Sequence, residues 1–370
     1  MKITRVRLGR LEAPLRVPFK TALRTVDKIR DVAVAVYTDT GAVGYGEAPP
    51  TAAITGETEG SLLEALTLHI APAVLGREVE DLEALTDAVS HSIVRNSSAK
   101  AAMDMALWDL YGQRWGLPVQ ALLGGGRPQL TTDLTISVNP PEQMARDALD
   151  AVARGYDTLK LKVGVDPALD TARLLAVRQA VGPKIRLRID ANQAWTAPQA
   201  VRILDAMQSR NLDLELVEQP VPAQDLAGLK YVTDRGIVPV LADESVFGPR
   251  DAAEVLARHA ADLLNIKLMK CGGITGALKI AALAEVYGVE CMMGCMLEAK
   301  LSVNAAVAVA CARRIVTKID LDGPGLCSAD PVRGGAVFDG KTITPCAAPG
   351  LGIDGIDPAA ITFVKELCAP

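Results

Sequence analysis

Histidine is scarce in this chain, with three in 370 residues. His69, His91 and His259 lie far apart, each in a stretch of helical patterning where a lone imidazole is ordinarily structural. The seven cysteines show no paired spacing of a zinc or redox motif, and their odd count reads as reduced thiols packed as small apolar residues. A His/Cys metal centre and a Ser/His/Asp triad are thereby set aside. Long apolar runs are missing too. The longest alanine-valine stretch, Ala305 to Ala312, falls short of the ~18 residues of a membrane helix, and Met1-Lys2-Ile3-Thr4-Arg5 carries no signal-peptide core. A cytoplasmic location is expected, with no membrane partner. Nor is positive charge in excess: the net charge of −5 offers no footprint to nucleic acid and leaves a small molecule as the expected ligand. No low-complexity segment is evident.

What is present is a chain 49% hydrophobic and 22% charged, the balance of a globular protein. Its length suits a barrel of about 250 residues plus a smaller domain. Asp31-Val32-Ala33-Val34-Ala35-Val36-Tyr37 alternates, Asp39-Thr40-Gly41 turns, and Val43 to Ala48 resumes, which predicts an antiparallel hairpin. From Glu57 to Trp115 the apolar period becomes helical, through Leu62, Leu63, Leu66 and Ile70 and again Met103, Ala106, Leu107 and Leu110. The run Leu123-Gly124-Gly125-Gly126-Arg127-Pro128 lacks the Lys-Ser/Thr and the preceding strand of a phosphate loop, and reads as a domain linker.

From Thr131 onward, eight short β-rich runs alternate with helical stretches: Thr132 to Val138, Thr158 to Val163, Arg186 to Ile189, Leu212 to Val217, Val238 to Ala242, Leu263 to Ile266, Glu290 to Met293 and Arg314 to Ile319. Eight strand-helix units with right-handed crossovers close into an α/β fold, a (β/α)8 TIM-type barrel, with its active site at the C-terminal strand ends. The expected division is residues 1–127 as an α+β capping domain, 128–322 as the barrel, and 323–370 as a glycine- and proline-rich segment returning to the cap.

The strand ends carry the chemistry. The second ends in Lys160-Leu161-Lys162, the third in Asp190, the fourth in Glu218, the fifth in Asp243, the sixth in Lys267 and the eighth in Asp320-Leu321-Asp322. Strand alternation points Lys160 and Lys162 into the same mouth. Asp190, Glu218 and Asp243 on consecutive strands, with no His or Cys, make the all-oxygen site Mg²⁺ prefers, with Asn192 and Glu244 placed to support it. Two lysines across the ring from each other suit removal of a proton next to a carboxylate, and clustered positive charge from Lys160, Lys162 and the metal is expected to depress the lysine pKa values. A base on each side of the carbon permits inversion.

Lys160-Leu161-Lys162, Asp190-Ala191-Asn192-Gln193, Glu218-Gln219-Pro220, Asp243-Glu244-Ser245 and Asn265-Ile266-Lys267-Leu268-Met269-Lys270-Cys271-Gly272-Gly273 resemble the successive motifs of the enolase superfamily, muconate-lactonising subgroup, in which a lysine base working with Mg²⁺ is a known pattern. Met105-Ala106-Leu107-Trp108-Asp109 and Gly116-Leu117-Pro118 extend the likeness into the cap. The resemblance implies Lys162 and Lys267 as the acid/base pair, Lys160 directed at the substrate carboxylate, one Mg²⁺ per subunit with Mn²⁺ as a substitute, and a homo-oligomer. Asp320 and Asp322 resemble the acidic pair with which dipeptide epimerases hold a substrate ammonium. Pro18-Phe19-Lys20-Thr21-Ala22-Leu23-Arg24-Thr25 resembles the capping loop of L-Ala-D/L-Glu epimerases, which makes Arg24 the partner of a glutamate side chain. Thr135 and the loop residues Cys295, Met296 and Leu297 complete the implied pocket. Glu298 joins them if it faces inward, and Cys295 stands where a serine is expected. Lys270, Gly272 and Gly273 read as strand-to-helix turn chemistry.

The implied activity is epimerisation of a dipeptide, with a role in murein peptide metabolism. Rivals are o-succinylbenzoate synthesis or muconate-type cycloisomerisation on the same machinery, and a dipeptide of different side-chain specificity. A metal-independent Schiff-base aldolase and an inert barrel that only binds are further alternatives.

Overall fold

The computed structural model describes residues 1–20 and 25–370. The alternation of the first fifty residues becomes a four-stranded antiparallel sheet of Ile3–Lys20, Thr25–Thr38, Val43–Ala48 and, on the outer edge, Ile361–Cys368 from the far end of the chain. The predicted hairpin pairs Val32 with Ala48 and Tyr37 with Val43. Val32, Val34 and Val36 face the core they share with the helices. In the first strand the ladder breaks between Pro14 and Phe19, where Pro14 and Pro18 have no amide proton to give.

The helical stretch resolves chiefly into Glu59–Ala65, Leu82–His91 and Ser97–Trp115. A capping box of Thr58 and Ser61 opens the first. The last closes on Gly116 in the left-handed conformation, φ 68°. Strand Val43–Ala48 lies directly on this last helix, and a Cβ at Gly44 or Gly46 would collide with the carbonyl of Ala106 or Ala102.

All eight predicted barrel strands are present and parallel: Leu134–Ile136, Thr158–Lys162, Arg186–Asp190, Leu214–Glu218, Val240–Ala242, Leu263–Ile266, Glu290–Gly294 and Val316–Asp320. They hydrogen-bond in chain order. The first and eighth meet through single bonds instead of a ladder: Asp133 N–H to the Ile319 carbonyl at 3.3 Å and Leu321 N–H to the Thr132 hydroxyl at 2.9 Å. The main core lies between the outer strand faces and the helices, through Leu159, Leu161, Leu187, Ile189 and Val217. Inside the barrel Leu216, Leu241, Leu263 and Met292 form a separate apolar cluster.

Cap and barrel are joined by a buried carboxylate. Glu47 of the capping sheet accepts the amides of Ala299 at 2.8 Å and Ser302 at 3.0 Å. Those amides open helix Lys300–Ala312, which has no side-chain cap of its own.

The three histidines are all exposed, and one expectation needs correcting. The seven cysteines are free, but only Cys291, Cys311 and Cys327 are buried. Cys368 is exposed on the edge strand. Among the described residues no helix is long and apolar enough to cross a membrane.

Candidate active site

Asp190, Glu218 and Asp320 are the last residues of their strands, and Asp243 and Lys267 follow theirs by one residue. Parallel register sets Lys162 beside Asp190 and Asp190 beside Glu218. A single mouth therefore collects side chains from six strands, all of them buried.

Lys160 Nζ lies 2.7 Å from Asp320 Oδ2, 2.7 Å from Glu218 Oε2 and 3.3 Å from Asp190 Oδ2. Lys162 Nζ lies 2.5 Å from Asp190 Oδ2 and 3.3 Å from Asn192 Oδ1. Lys267 Nζ lies 2.7 Å from Asp243 Oδ2 and 3.9 Å from Glu218 Oε1. Lys270 does more than the turn chemistry read from its sequence. It is buried, with Nζ 2.5 Å from Asp243 Oδ1 and 3.1 Å from the Asn265 carbonyl. The short helix Leu268–Cys271 carries it back over the strand ends. Gly272 and Gly273 turn as expected, with φ of 79° and 106°.

Around Lys160 and Lys267 the acids oppose the depression expected from clustered positive charge and the metal. Burial lowers Lys160 and Lys267, but Asp320, Glu218 and Asp190 around the first, and Asp243 and Glu218 around the second, hold both above the ordinary lysine value. Six buried carboxyls, Asp190, Glu218, Asp243, Glu244, Asp320 and Asp322, face the four ammonium groups of Lys160, Lys162, Lys267 and Lys270. The imbalance shows in the acids. Burial first, and neighbouring carboxylates next, push Glu218 up to about 7, Glu244 up to about 8 and Asp322 up to about 6. Burial acts on Asp320 as well, but Lys160 holds it down at about 2. Asp190 and Asp243 also lie below the ordinary range against burial, held there by Lys162 and Lys160 in one case and by Lys267 and Lys270 in the other.

Among the described residues no three acidic, His or Cys side chains converge as a ready-made metal cluster, because Asp190, Glu218 and Asp243 each turn an oxygen to a lysine. The donor set nevertheless fits a hard divalent cation: three carboxylates on consecutive strands, all oxygen, in a site where acids outnumber cations by two. Glu244 Oε2 is buried without a hydrogen bond, and Glu218 Oε2 touches Lys160 without hydrogen-bond geometry. Supporting bonds surround the set. Asn192 Nδ2 donates to Glu244 Oε1 at 3.2 Å, and Asn265 Nδ2 donates to Glu218 Oε1 at 2.8 Å.

Lys160, Lys162 and Lys267 open onto one pocket shared with Thr135, Cys295, Met296, Leu297, Asp320 and Asp322. The three acids read as metal ligands sit behind the lysines. Arg24 lies outside the described residues. Thr135 N–H donates to Asp322 Oδ2 at 2.7 Å. Cys295 faces the pocket as a neutral thiol, since burial above all raises it well above its ordinary value. Glu298 turns away from the pocket: its Oε1 accepts the Met296 amide at 2.6 Å, and burial first, with the Glu47 carboxyl adding, pushes it up to about 7 against the Ser302 hydroxyl.

Residues missed by the sequence reading complete the site. Phe19, Ala53, Ile54 and Leu326 wall the pocket; Phe19 belongs to the segment read as a capping loop, while Ala53 and Ile54 from a loop and Leu326 from the short helix Gly323–Leu326 carry no pattern pointing inward. Gln219 sits at φ 34°, strained for a residue with a Cβ. Its Oε1 accepts the amides of Asp243 at 2.9 Å and Ser245 at 3.1 Å, and its Nε2 donates to Ser245 Oγ at 2.8 Å. Its role is to brace the segment that presents Asp243.

A parallel eight-stranded barrel with this mouth, capped by an α+β domain, is the architecture of the enolase superfamily. The chain belongs to the mandelate racemase / muconate lactonizing enzyme family: residues 3–124 match that family's N-terminal domain and residues 143–359 match the enolase C-terminal domain-like fold. It is 55% identical to the L-Ala-D/L-Glu epimerase of Clostridium acetobutylicum, over 96% of this chain and 100% of that one. The structure superposes with a TM-score of 0.95 on a substrate-liganded complex of the Bacillus subtilis L-Ala-D/L-Glu epimerase, at 49% identity, covering 96% of this chain and 99% of that one. With the Enterococcus faecalis dipeptide epimerase, solved with Mg and L-Leu-L-Tyr, the TM-score is 0.92 at 41% identity, covering 96% of this chain and 100% of that one.

Proposed function

We propose that this protein is a Mg²⁺-dependent dipeptide epimerase that inverts the α-carbon of the C-terminal residue, with L-Ala-D/L-Glu as its substrate and murein peptides as the source. The observation that carries the reading is that Lys162 and Lys267, from strands on opposite sides of the ring, open onto one pocket beside the Asp320 and Asp322 carboxylates. The names of the relatives support the same reaction.

In this reading one lysine, as the neutral amine, takes the α-proton from one side and the other, as ammonium, delivers a proton to the opposite side. Lys160 pairs with the substrate carboxylate. Asp320 and Asp322 take the α-ammonium, which suits a pair in which burial first, and repulsion from Asp320 next, raise Asp322. Thr135 orients Asp322, and Cys295, Met296 and Leu297 line the wall beside the substrate. Arg24 takes the glutamate side chain, on the strength of the sequence resemblance. Asp190, Glu218 and Asp243 hold one Mg²⁺ per chain, with Mn²⁺ as a substitute. Bound there, Mg²⁺ would supply the positive charge that draws these carboxylates off the lysines and steadies the substrate carboxylate as its α-carbon loses a proton.

The test is ¹H NMR in D₂O of L-Ala-L-Glu with enzyme and Mg²⁺, beside L-Ala-L-Leu, L-Ala-L-Lys, an EDTA-treated sample and the Lys162→Ala variant. L-Ala-D-Glu is expected to appear as the Glu α-proton signal disappears, in neither the chelated nor the variant sample. Reaction of the other dipeptides alone would discard the glutamate assignment. Reaction undiminished by EDTA would discard the metal.

A further inference from the structure

The segment that carries Asp320 and Asp322 has no strand ladder to hold it on one side, because the first and eighth barrel strands meet only through single bonds. Beneath that seam a guanidinium crosses the barrel interior. Arg188 of the third strand, 5% exposed, donates from Nη1 to Asp133 Oδ2 at 2.7 Å and to the Ile319 carbonyl at 3.2 Å, and from Nε to Glu215 Oε2 at 2.5 Å. Asp133, 1% exposed, in turn gives its amide to the same Ile319 carbonyl. Ile319 immediately precedes Asp320. On the other side Thr135, two residues after Asp133, gives its amide to Asp322 Oδ2.

Such a pair is a costly way to fill space, since each buried ion forfeits hydration that the pairing only partly returns. The opposite half of the same interior is filled by Leu216, Leu241, Leu263 and Met292, so this barrel accepts apolar filling. The Arg188–Asp133 pair lies on the side of the acidic segment, against the Ile319 carbonyl. We infer that Arg188 and Asp133 are a positioning pair for the ammonium site: clamping the Ile319 carbonyl from below and anchoring the strand that carries Thr135, they set Asp320 and Asp322 at the spacing that grips a substrate ammonium. This inference rests on the proposed role of those two acids.

The variant that tests it is Arg188→Met/Asp133→Leu, which removes the guanidinium and its fully buried partner together and leaves the partly exposed Glu215 to water. Arg188→Met alone strands a buried carboxylate and is expected to lower Tm. Two quantities are measured: kcat and KM for L-Ala-L-Glu, and the inhibition constant of N-propionyl-L-glutamate, which lacks only the ammonium. Expected for the double variant is a KM raised about tenfold or more with kcat changed little, and an unchanged inhibition constant. Both constants rising together, or neither moving, would overturn the inference. If the unaltered enzyme bound the propionyl analogue as tightly as the dipeptide, the ammonium reading itself would fall and this inference with it.

Discussion

Lys162 and Lys267 are held differently in the pocket. Lys162 meets one carboxylate, Asp190, and the amide of Asn192, whereas Lys267 lies between Asp243 and Glu218. If they serve opposite sides of one carbon, their loss has separable consequences. Lys162→Met and Lys267→Met are each expected to cut epimerisation by about 10²–10⁴, while each variant keeps deuterium exchange in the one diastereomer whose proton faces the surviving lysine. Washout from L-Ala-L-Glu and L-Ala-D-Glu, followed separately, reads this. Loss of exchange from the same diastereomer in both variants would contradict the two-sided arrangement. Residue chemistry was also where the sequence proved most legible. Every acid and lysine at a strand end was named from position alone, because strand alternation and barrel polarity dictate which side chains reach the mouth. Lys270 escaped, since its role depends on a short helix folding it back onto Asp243.

At the scale of elements, the junction between capping sheet and barrel is built on carboxyls. Glu47 satisfies the first amides of helix Lys300–Ala312, and Glu298, in the loop before that helix, lies buried beside it. Glu298 rises from an ordinary 4.5 to about 7 in the folded protein, through burial above all. A folded pKa above the unfolded one means stability fully present below about 4.5 and lost as pH rises through about 7, on the order of 3 kcal/mol for a shift of this size. Glu298→Gln removes the titration. The excess of Tm in the parent over this variant is therefore expected to shrink from pH 5 to pH 8, and a constant or widening gap would contradict the assignment. Element types and order were legible from periodicity, while ends shifted: Thr132 to Val138 became Leu134–Ile136 and Arg186 to Ile189 became Arg186–Asp190. Hydrophobic pattern reports which side chains are buried, not where the last ladder bond falls.

At the scale of the molecule, the two chain ends are sewn together. Strand Ile361–Cys368 pairs with the first strand, Arg5 opposite Cys368 and Leu11 opposite Ile361. Asp109 in helix Ser97–Trp115 accepts the amides of Tyr45 and of Leu351 from the C-terminal segment. Ending the chain at Ile356 would bare the edge of Ile3–Lys20, an unpaired strand open to edge-to-edge association. Such a truncation is expected to lower Tm and raise the aggregated fraction in size-exclusion chromatography with light scattering. A monodisperse product of unchanged Tm would show that the edge strand is dispensable.

By itself the sequence determined the barrel, its eight strands, the hairpin of the cap and the strand-end groups, because each follows from local periodicity or from a residue's place on a strand. Tertiary structure alone decided what those groups do to one another. The surplus of carboxyls that raises Lys160 and Lys267, Lys270 beside Asp243, Gln219 bracing the fifth strand end, and Arg188 and Asp133 under the seam all depend on distances between strands far apart in the chain. Electrostatic interaction falls with separation in space and is amplified by burial, and neither quantity is written along a sequence.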